Sequence, residues 1–237
     1  MIDRLSYYEW GLDKPLLVRH ELIRPDGDGC RIAYVSDIHL RRGRSALLSD
    51  QVLDALDRAE PDIVLLGGDL IDHASELGAL RRLLRCIGSV APTFAVAGNH
   101  DVSVGLEATR EAVEDAGSTW IQGRTVVVSH KARTISLSGI GGEPRSSCDI
   151  SVLCTHNPRV WKRVRKQGFD LVLAGHLHGC QAVWFETAGR LFPGAFFYPH
   201  NYIRQKHGNS HLVVSMGCAD LIPIRWGCPR EIVLCIL

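Results

Sequence analysis

The chain has 237 residues, 46% of them hydrophobic and 22% charged, with a formal net charge of +1 when histidine is neutral. That is enough apolar material for a large core, and a single domain over residues 1–237 is expected. The near-balanced charge argues against a specific nucleic-acid partner and against a broadly anionic surface partner.

Asp3, Arg4, Glu9, Asp13 and Lys14 interrupt the first residues, so a signal peptide is not expected, and no run is long and apolar enough to cross a bilayer. Residues 16–23 and 31–36 read as strands separated by the turn-rich Pro25-Asp26-Gly27-Asp28-Gly29. Residues 46–59 place Leu47, Leu48, Val52, Leu53 and Leu56 at helical spacing. Residues 63–66 form a short buried-type strand, 77–87 a helix carrying Arg81, Arg82 and Arg85, 93–97 a strand and 107–116 a third helix. A hairpin is expected over 125–129 and 133–138, then a strand at 150–154, a helix at 158–167, and strands at 171–174, 181–185, 211–215 and 231–236. The first half alternates strand and helix; the second is richer in strands. The expected fold is α/β, with parallel strands joined by helices and a second, more antiparallel sheet packed on the first.

Eight cysteines lie at 30, 86, 148, 154, 180, 218, 228 and 235. None has C-x-x-C spacing, which disfavours a zinc knuckle or a thioredoxin-type site. Scattered thiols fit a reducing compartment, so a cytoplasmic location is expected.

Five short motifs fall at the ends of expected strands: Asp37-Ile38-His39, Gly68-Asp69, Gly98-Asn99-His100-Asp101, Thr155-His156-Asn157 and Gly175-His176-Leu177-His178. Strand ends are where α/β folds bind ligands. On an extended backbone residues i and i+2 point the same way, so Asp37 and His39 are expected to reach one cation together, and His176 and His178 to converge on a common site. Mixed carboxylate, imidazole and amide donors suit Mn, Fe, Zn or Ni better than Ca.

In these motifs, in order across residues 37–178, the chain resembles the calcineurin-like metallophosphoesterase superfamily. The resemblance implies two packed mixed β-sheets flanked by helices in a four-layer sandwich. It implies two divalent transition-metal ions, with Asp37, His39 and His178 on the first, Asp69 bridging, and Asn99, His156 and His176 on the second. It also implies that His100 faces the scissile phosphate, with Asp72 bonded to it, and that a metal-activated water hydrolyses a phosphate mono-/diester or pyrophosphate. An ordinary surface role is the competing reading for Asp72. Asp101 reads as a helix cap and Asn157 as a turn residue. His20, His73, His130, His200, His207 and His211 are read as structural or solvated. Arg41 and Arg42, after the first motif, stand evenly between substrate binding and a solvated face.

Within the superfamily, the protein Ser/Thr phosphatases carry G-D-x-x-D-R-G and G-N-H-E; here His73 stands in place of the Arg and Asp101 in place of the Glu. Residues 179–181, 213–217 and 223–232 resemble a bacterial branch of small metallophosphoesterases that includes enzymes similar to UDP-2,3-diacylglucosamine pyrophosphatases. A lipid-linked substrate is therefore an expectation, with a cyclic-nucleotide or other nucleotide phosphodiesterase as the alternative. A catalytically inactive metal-binding interaction module is the alternative of another class, although every ligand and the proton donor are present. Residues 191–203 hold five aromatic residues flanked by Arg190, Arg204 and Lys206. They suit peripheral contact with the inner membrane face, but packing of these aromatics over the second sheet is the preferred reading.

Overall fold

The computed structural model describes residues 4–24 and 29–237. Asp3 and residues 25–28 of the expected turn lie outside the described residues. In chain order the elements are β1 (Tyr8–Trp10), β2 (Leu17–Leu22), β3 (Arg31–Val35), α1 (Ser45–Ala59), β4 (Ile63–Leu66), α2 (Leu77–Val90) and β5 (Thr93–Ala95). Next come α3 (Asn99–Asp115), β6 (Thr119–Trp120), β7 (Thr125–His130), β8 (Arg133–Ser138), β9 (Ile150–Cys154), α4 (Trp161–Val164) and β10 (Leu171–Ala174). The last are β11 (Val183–Thr187), β12 (Arg190–Pro193), α5 (Gly194–Phe197), β13 (Arg204–His207), β14 (Ser210–Val214), β15 (Ile224–Trp226) and β16 (Glu231–Ile236).

They build two six-stranded mixed sheets, ordered β2-β16-β3-β4-β5-β6 and β13-β14-β10-β9-β8-β7. In the first sheet only the β16–β3 pairing is antiparallel. In the second, β8, β9, β10 and β14 pair in parallel, and antiparallel pairing is confined to the edge partners β7 and β13. The second sheet is thus more antiparallel only at its rims. Its central strands are joined by connections long enough for parallel crossovers. The last strand, β16, returns to the first sheet between β2 and β3, as its nearly continuous apolar run suits a central position.

The layers follow from side-chain alternation and helical periodicity. Ile32, Tyr34, Leu65 and Val96 of the first sheet and its loops meet Leu137, Val152, Leu171 and Leu173 of the second to form the buried centre. The other face of the first sheet buries Ala33, Val35, Val64 and Leu66 against Leu48, Val52 and Leu56 of α1 and Leu80, Leu84 and Ile87 of α2. Arg82 and Arg85 of α2 face solvent. The outer face of the second sheet packs Val172, Leu212 and Val214 on Trp161, Val164 and Phe169. This is the expected helix–sheet–sheet–helix order, although the fourth layer is thin: the helix expected over 158–167 is a 3-10 turn followed by the four-residue α4. Helix α3 starts earlier than expected, at the motif residue Asn99, with a non-helical break at Gly105. Among the described residues no helix is long and apolar enough to cross a membrane.

Candidate metal centre

The motif residues lie just past the C-terminal ends of parallel strands from both sheets. Asp37 and His39 follow β3, Asp69 follows β4, Asn99 follows β5, His156 follows β9, and His176 and His178 follow β10. Carboxylate and imidazole atoms gather there in three overlapping groups: Asp37, His39 and His178; His39, Asp69 and His100; and Asp69, His156 and His176. Asp69 belongs to the last two, and the amide oxygen of Asn99 lies 3.1 Å from His156 Nε2.

The local backbone differs from the extended display expected from i, i+2 spacing. Asp37, His39, Asp69, His176 and His178 all have positive φ, at 56°, 46°, 52°, 77° and 49°. Left-handed non-glycine residues cost on the order of 1–3 kcal/mol each and cluster where function requires them. The turns aim the side chains differently from a strand: Asp37 and His39 still meet, but His176 and His178 diverge into different groups. The loops are tied by Asp37 N–H to Gly68 O (3.0 Å), His39 N–H to Asp69 O (2.9 Å) and Ala219 N–H to Asp37 O (2.9 Å). Gly98 permits a close approach of the two loops, because a Cβ there would lie 2.0 Å from Asp69 Oδ1.

Proton placement within the cluster favours cations. His156 Nδ1 donates to Gly67 O (2.9 Å), and its Nε2 faces Asp69 Oδ2 at 3.1 Å, Asn99 Oδ1 at 3.1 Å and His176 Nδ1 at 3.0 Å. One proton cannot satisfy three such neighbours. His178 Nδ1 donates to Ala219 O (3.0 Å), which turns its Nε2 lone pair toward Asp37 Oδ1, 3.4 Å away. His39 Nδ1 donates to Asp72 Oδ1 (2.6 Å), and its Nε2 is buried without a hydrogen-bond partner, 3.8 Å from Asp69 Oδ2. Imidazole nitrogens thus converge on carboxylates in a largely buried space, the arrangement that two divalent ions sharing Asp69 would fit, and metal-binding histidines commonly commit their second nitrogen in this way.

The electrostatics agree. Burial would raise the Asp37 carboxyl, but His178, His156 and His39 hold it down at about 2. Burial, with Arg225 and His39 nearby, pushes His178 down to about 4, so it is neutral at neutral pH. Burial opposes protonation of His156, yet Asp69 and Asp37 outweigh it and push it up to about 9, leaving a proton that a cation would displace.

His100 stands at the mouth, 38% exposed, with Nδ1 2.9 Å from Asp72 Oδ1. The same carboxylate oxygen bonds His39, so Asp72 joins His100 to the buried cluster. Arg41 lies beside it, Nε 3.5 Å from Asp72 Oδ2, and donates to Asp220 O. Arg42 is exposed, and no ion pair is found for it among the described residues.

Three supporting residues, Asp101, Asp220 and Arg225, carried no role at the centre in the sequence reading. Asp101 does cap α3, accepting from Gly98 N–H at 2.9 Å, but its other oxygen accepts from Leu70 N–H at 2.9 Å, so one carboxylate pins the Asp69 loop to the Asn99 loop. Arg225 is wholly buried and paired with Asp220. It donates to Ala219 O at 2.7 Å, the carbonyl that also receives His178 Nδ1. Asp101 sits inside a quoted motif, and Arg225 inside the stretch 223–232, so position was the available signal; the partners were not visible in one dimension.

The aromatic segment departs from the preferred expectation. Leu191, Ala195 and Ile203 are buried, and Tyr202 packs on the outer face of the second sheet, but Phe196 and Phe197 are 72% and 77% exposed. Trp184, Phe185 and Tyr198 are exposed as well. The four-residue α5 is too short to turn one face inward along its whole length, so its two phenylalanines project outward.

Two mixed sheets carrying a carboxylate–imidazole cluster at their strand ends define a metal-dependent phosphoester hydrolase. The chain belongs to the calcineurin-like phosphoesterase family, whose model matches residues 30–180. It is 29% identical over 237 residues to phosphodiesterase YaeI of Escherichia coli K12, covering 92% of this chain and 86% of that protein. It is also 28% identical over 227 residues to an uncharacterized metallophosphoesterase of Aquifex aeolicus, covering 89% and 85%. In fold it is similar to TT1561 of Thermus thermophilus, with a TM-score of 0.52 at 13% identity, covering 80% of this chain and 90% of that one.

Proposed function

We propose that this hydrolase cleaves a phosphodiester or pyrophosphate bond in a lipid-linked substrate, of the kind represented by UDP-2,3-diacylglucosamine, while resting on the inner membrane face. The proposed site has Asp37, His39 and His178 on one cation, Asn99, His156 and His176 on the other, and Asp69 shared. The observation that carries the catalytic part is the convergence of imidazole nitrogens on Asp37 and Asp69. Bound divalent ions supply the positive field that polarises a phosphate and lowers the pKa of water. His100, held through Nδ1 by Asp72, would use its Nε2 toward the leaving oxygen. As water oxygen bonds to phosphorus and the ester P–O bond breaks, the His100 proton passes to the departing oxygen, help worth about 10²–10⁴-fold in rate.

The lipid reading rests on the surface beside the site. Gln181, three residues after His178, donates to Ile222 O (2.6 Å) and Ile224 O (2.8 Å), fastening the exposed Leu221 and Ile222 to the chain that leads into β11. Those residues, Trp184, Phe196 and Phe197 offer apolar contact, and Arg204 is an exposed cation near them in sequence. Such a combination suits an anionic membrane interface. The similarity to phosphodiesterase YaeI supports diester cleavage and sustains the alternative of a nucleotide phosphodiester.

Turnover of bis-p-nitrophenyl phosphate with Mn, Fe, Zn or Ni tests the catalytic part, and its absence with every ion would leave a binding module. A panel of diacylated sugar nucleotides against cyclic and linear nucleotides tests the substrate. A preference for the unacylated compounds would overturn the lipid assignment and leave the hydrolase standing.

A further inference from the structure

A second group of soft and borderline donors lies at the opposite end of the sandwich. Cys30 immediately precedes β3, Asp62 immediately precedes β4, and His130 ends β7 of the other sheet. One donor atom from each lies within 4.8 Å of the other two. Cys30 and Asp37 flank the two ends of β3, which puts this group about 20 Å from the centre described above, at roughly 3.3 Å per strand residue.

We propose that Cys30, Asp62 and His130 bind one zinc-like divalent ion that clips the edge hairpin of the second sheet to the first. His130 Nε2 is buried and lacks a hydrogen-bond partner, and it points at Asp62 Oδ2 from 3.9 Å. That spacing exceeds by a few tenths of an ångström the edge of about 3.3–3.6 Å that nitrogen and oxygen donors about 2.0–2.2 Å from a tetrahedral ion would span, so a small inward turn of the imidazole would seat the ion. Thiolate plus imidazole selects zinc or a related transition metal over calcium and magnesium, which take oxygen. Three protein donors leave a fourth position to water.

The backbone holds two of the donors in place. Asp62 N–H donates to Arg31 O (2.8 Å) while Arg31 N–H donates to Asp62 Oδ2 (2.8 Å), and Leu237 N–H donates to Cys30 O (2.9 Å). His130 closes β7 in pairing with Arg133. Binding would displace the Cys30 thiol proton to solvent and form a metal–sulfur bond, with His130 neutral. The ion would join elements far apart in sequence, so its effect would appear in stability rather than in turnover.

Cobalt(II) titrated into chelator-stripped full-length protein separates this site from the main centre, whose assigned donors are nitrogen and oxygen only. The expected result is one equivalent with an intense near-ultraviolet thiolate-to-cobalt absorption, lost in both Cys30→Ser and His130→Gln and kept in Asp69→Asn. Zinc should also raise the melting temperature of Asp69→Asn but not that of the double variant Asp69→Asn/His130→Gln. No thiolate band in the wild-type protein at saturating cobalt would overturn the proposal. So would a band that persists in Cys30→Ser, because it would belong to another cysteine.

Discussion

The strand-end cluster and the aromatic lobe of residues 183–203 lie a few residues apart in the chain and are built in opposite ways. In the cluster, five residues adopt left-handed backbone, and carboxylates from different loops bond neighbouring N–H groups. Asp37, His39, Asp69, His156 and His178 are buried, His176 is half-buried and Asn99 is exposed. In the lobe, a small apolar set of Val183, Leu191, Ile203, Met216 and Cys228 holds a short hairpin whose largest side chains remain in solvent. Strained backbone persists where many bonds over-determine it. Exposed aromatic surface persists where folding does not depend on it. The cluster should therefore answer substitution with lost chemistry or lost stability, and the lobe with lost surface binding alone.

The largest effect is expected at the residue both halves of the cluster share. Asp69→Ala should remove both cations by elemental analysis and reduce diesterase activity to background; retention of two full equivalents would place the ions elsewhere. His100→Ala is expected to keep its metal and lose about 10²–10⁴-fold in rate on esters with poor leaving groups. The loss should shrink for nitrophenyl esters, whose leaving group needs little protonation, and an equal loss on both would mean that His100 orients phosphate instead.

Removal of a support should cost folding energy as well. Arg225→Met removes the buried partner of Asp220 and leaves its carboxylate only the more distant Arg44, 3.8 Å away. Breaking such a pair typically costs about 3–5 kcal/mol, which urea unfolding would measure. A loss below about 1 kcal/mol would show that the pair is dispensable.

The pH dependence tests the electrostatics of the same corner. Burial, Arg225 and His39 push folded His178 from 6.5 down to about 4. Between those values the unfolded chain binds a proton that the native state does not, so stability rises with pH. The contribution is complete above about 6.5 and is lost as pH falls through about 4, amounting to about 3 kcal/mol. In metal-free protein, the unfolding midpoint should fall more steeply over this window for wild type than for His178→Gln. Parallel curves would count against a neutral buried imidazole.

The smallest effect on folding belongs to the lobe. Phe196→Ser with Phe197→Ser should change stability by no more than about 0.5 kcal/mol, as for other exposed positions. Each Phe side chain taken up by an interface is worth about 1.5–3 kcal/mol, so the pair should weaken binding to anionic vesicles by well over tenfold. High salt should weaken the remaining attraction of Arg204 and its neighbours. A lower melting temperature with no vesicle binding in either form would turn the lobe into ordinary core cover.

Sequence by itself determined the family, the α/β class, most strand and helix positions, and the residue types of the centre. Those properties rest on periodicity and on short motifs that are local in the chain: Ile63–Leu66 is a continuous apolar run, and Asp37, Asp69 and His156 stand in recognisable neighbourhoods. Only tertiary structure decided which sheet β16 joins, that the metal-motif loops run through left-handed backbone, and that Asp101 and Arg225 brace the centre. It also decided the exposure of Phe196 and Phe197 and the meeting of Cys30, Asp62 and His130. Each depends on contacts between residues distant in the chain or on backbone turns outside the extended and helical regions, and a repeat of two or of 3.6 residues carries no record of either.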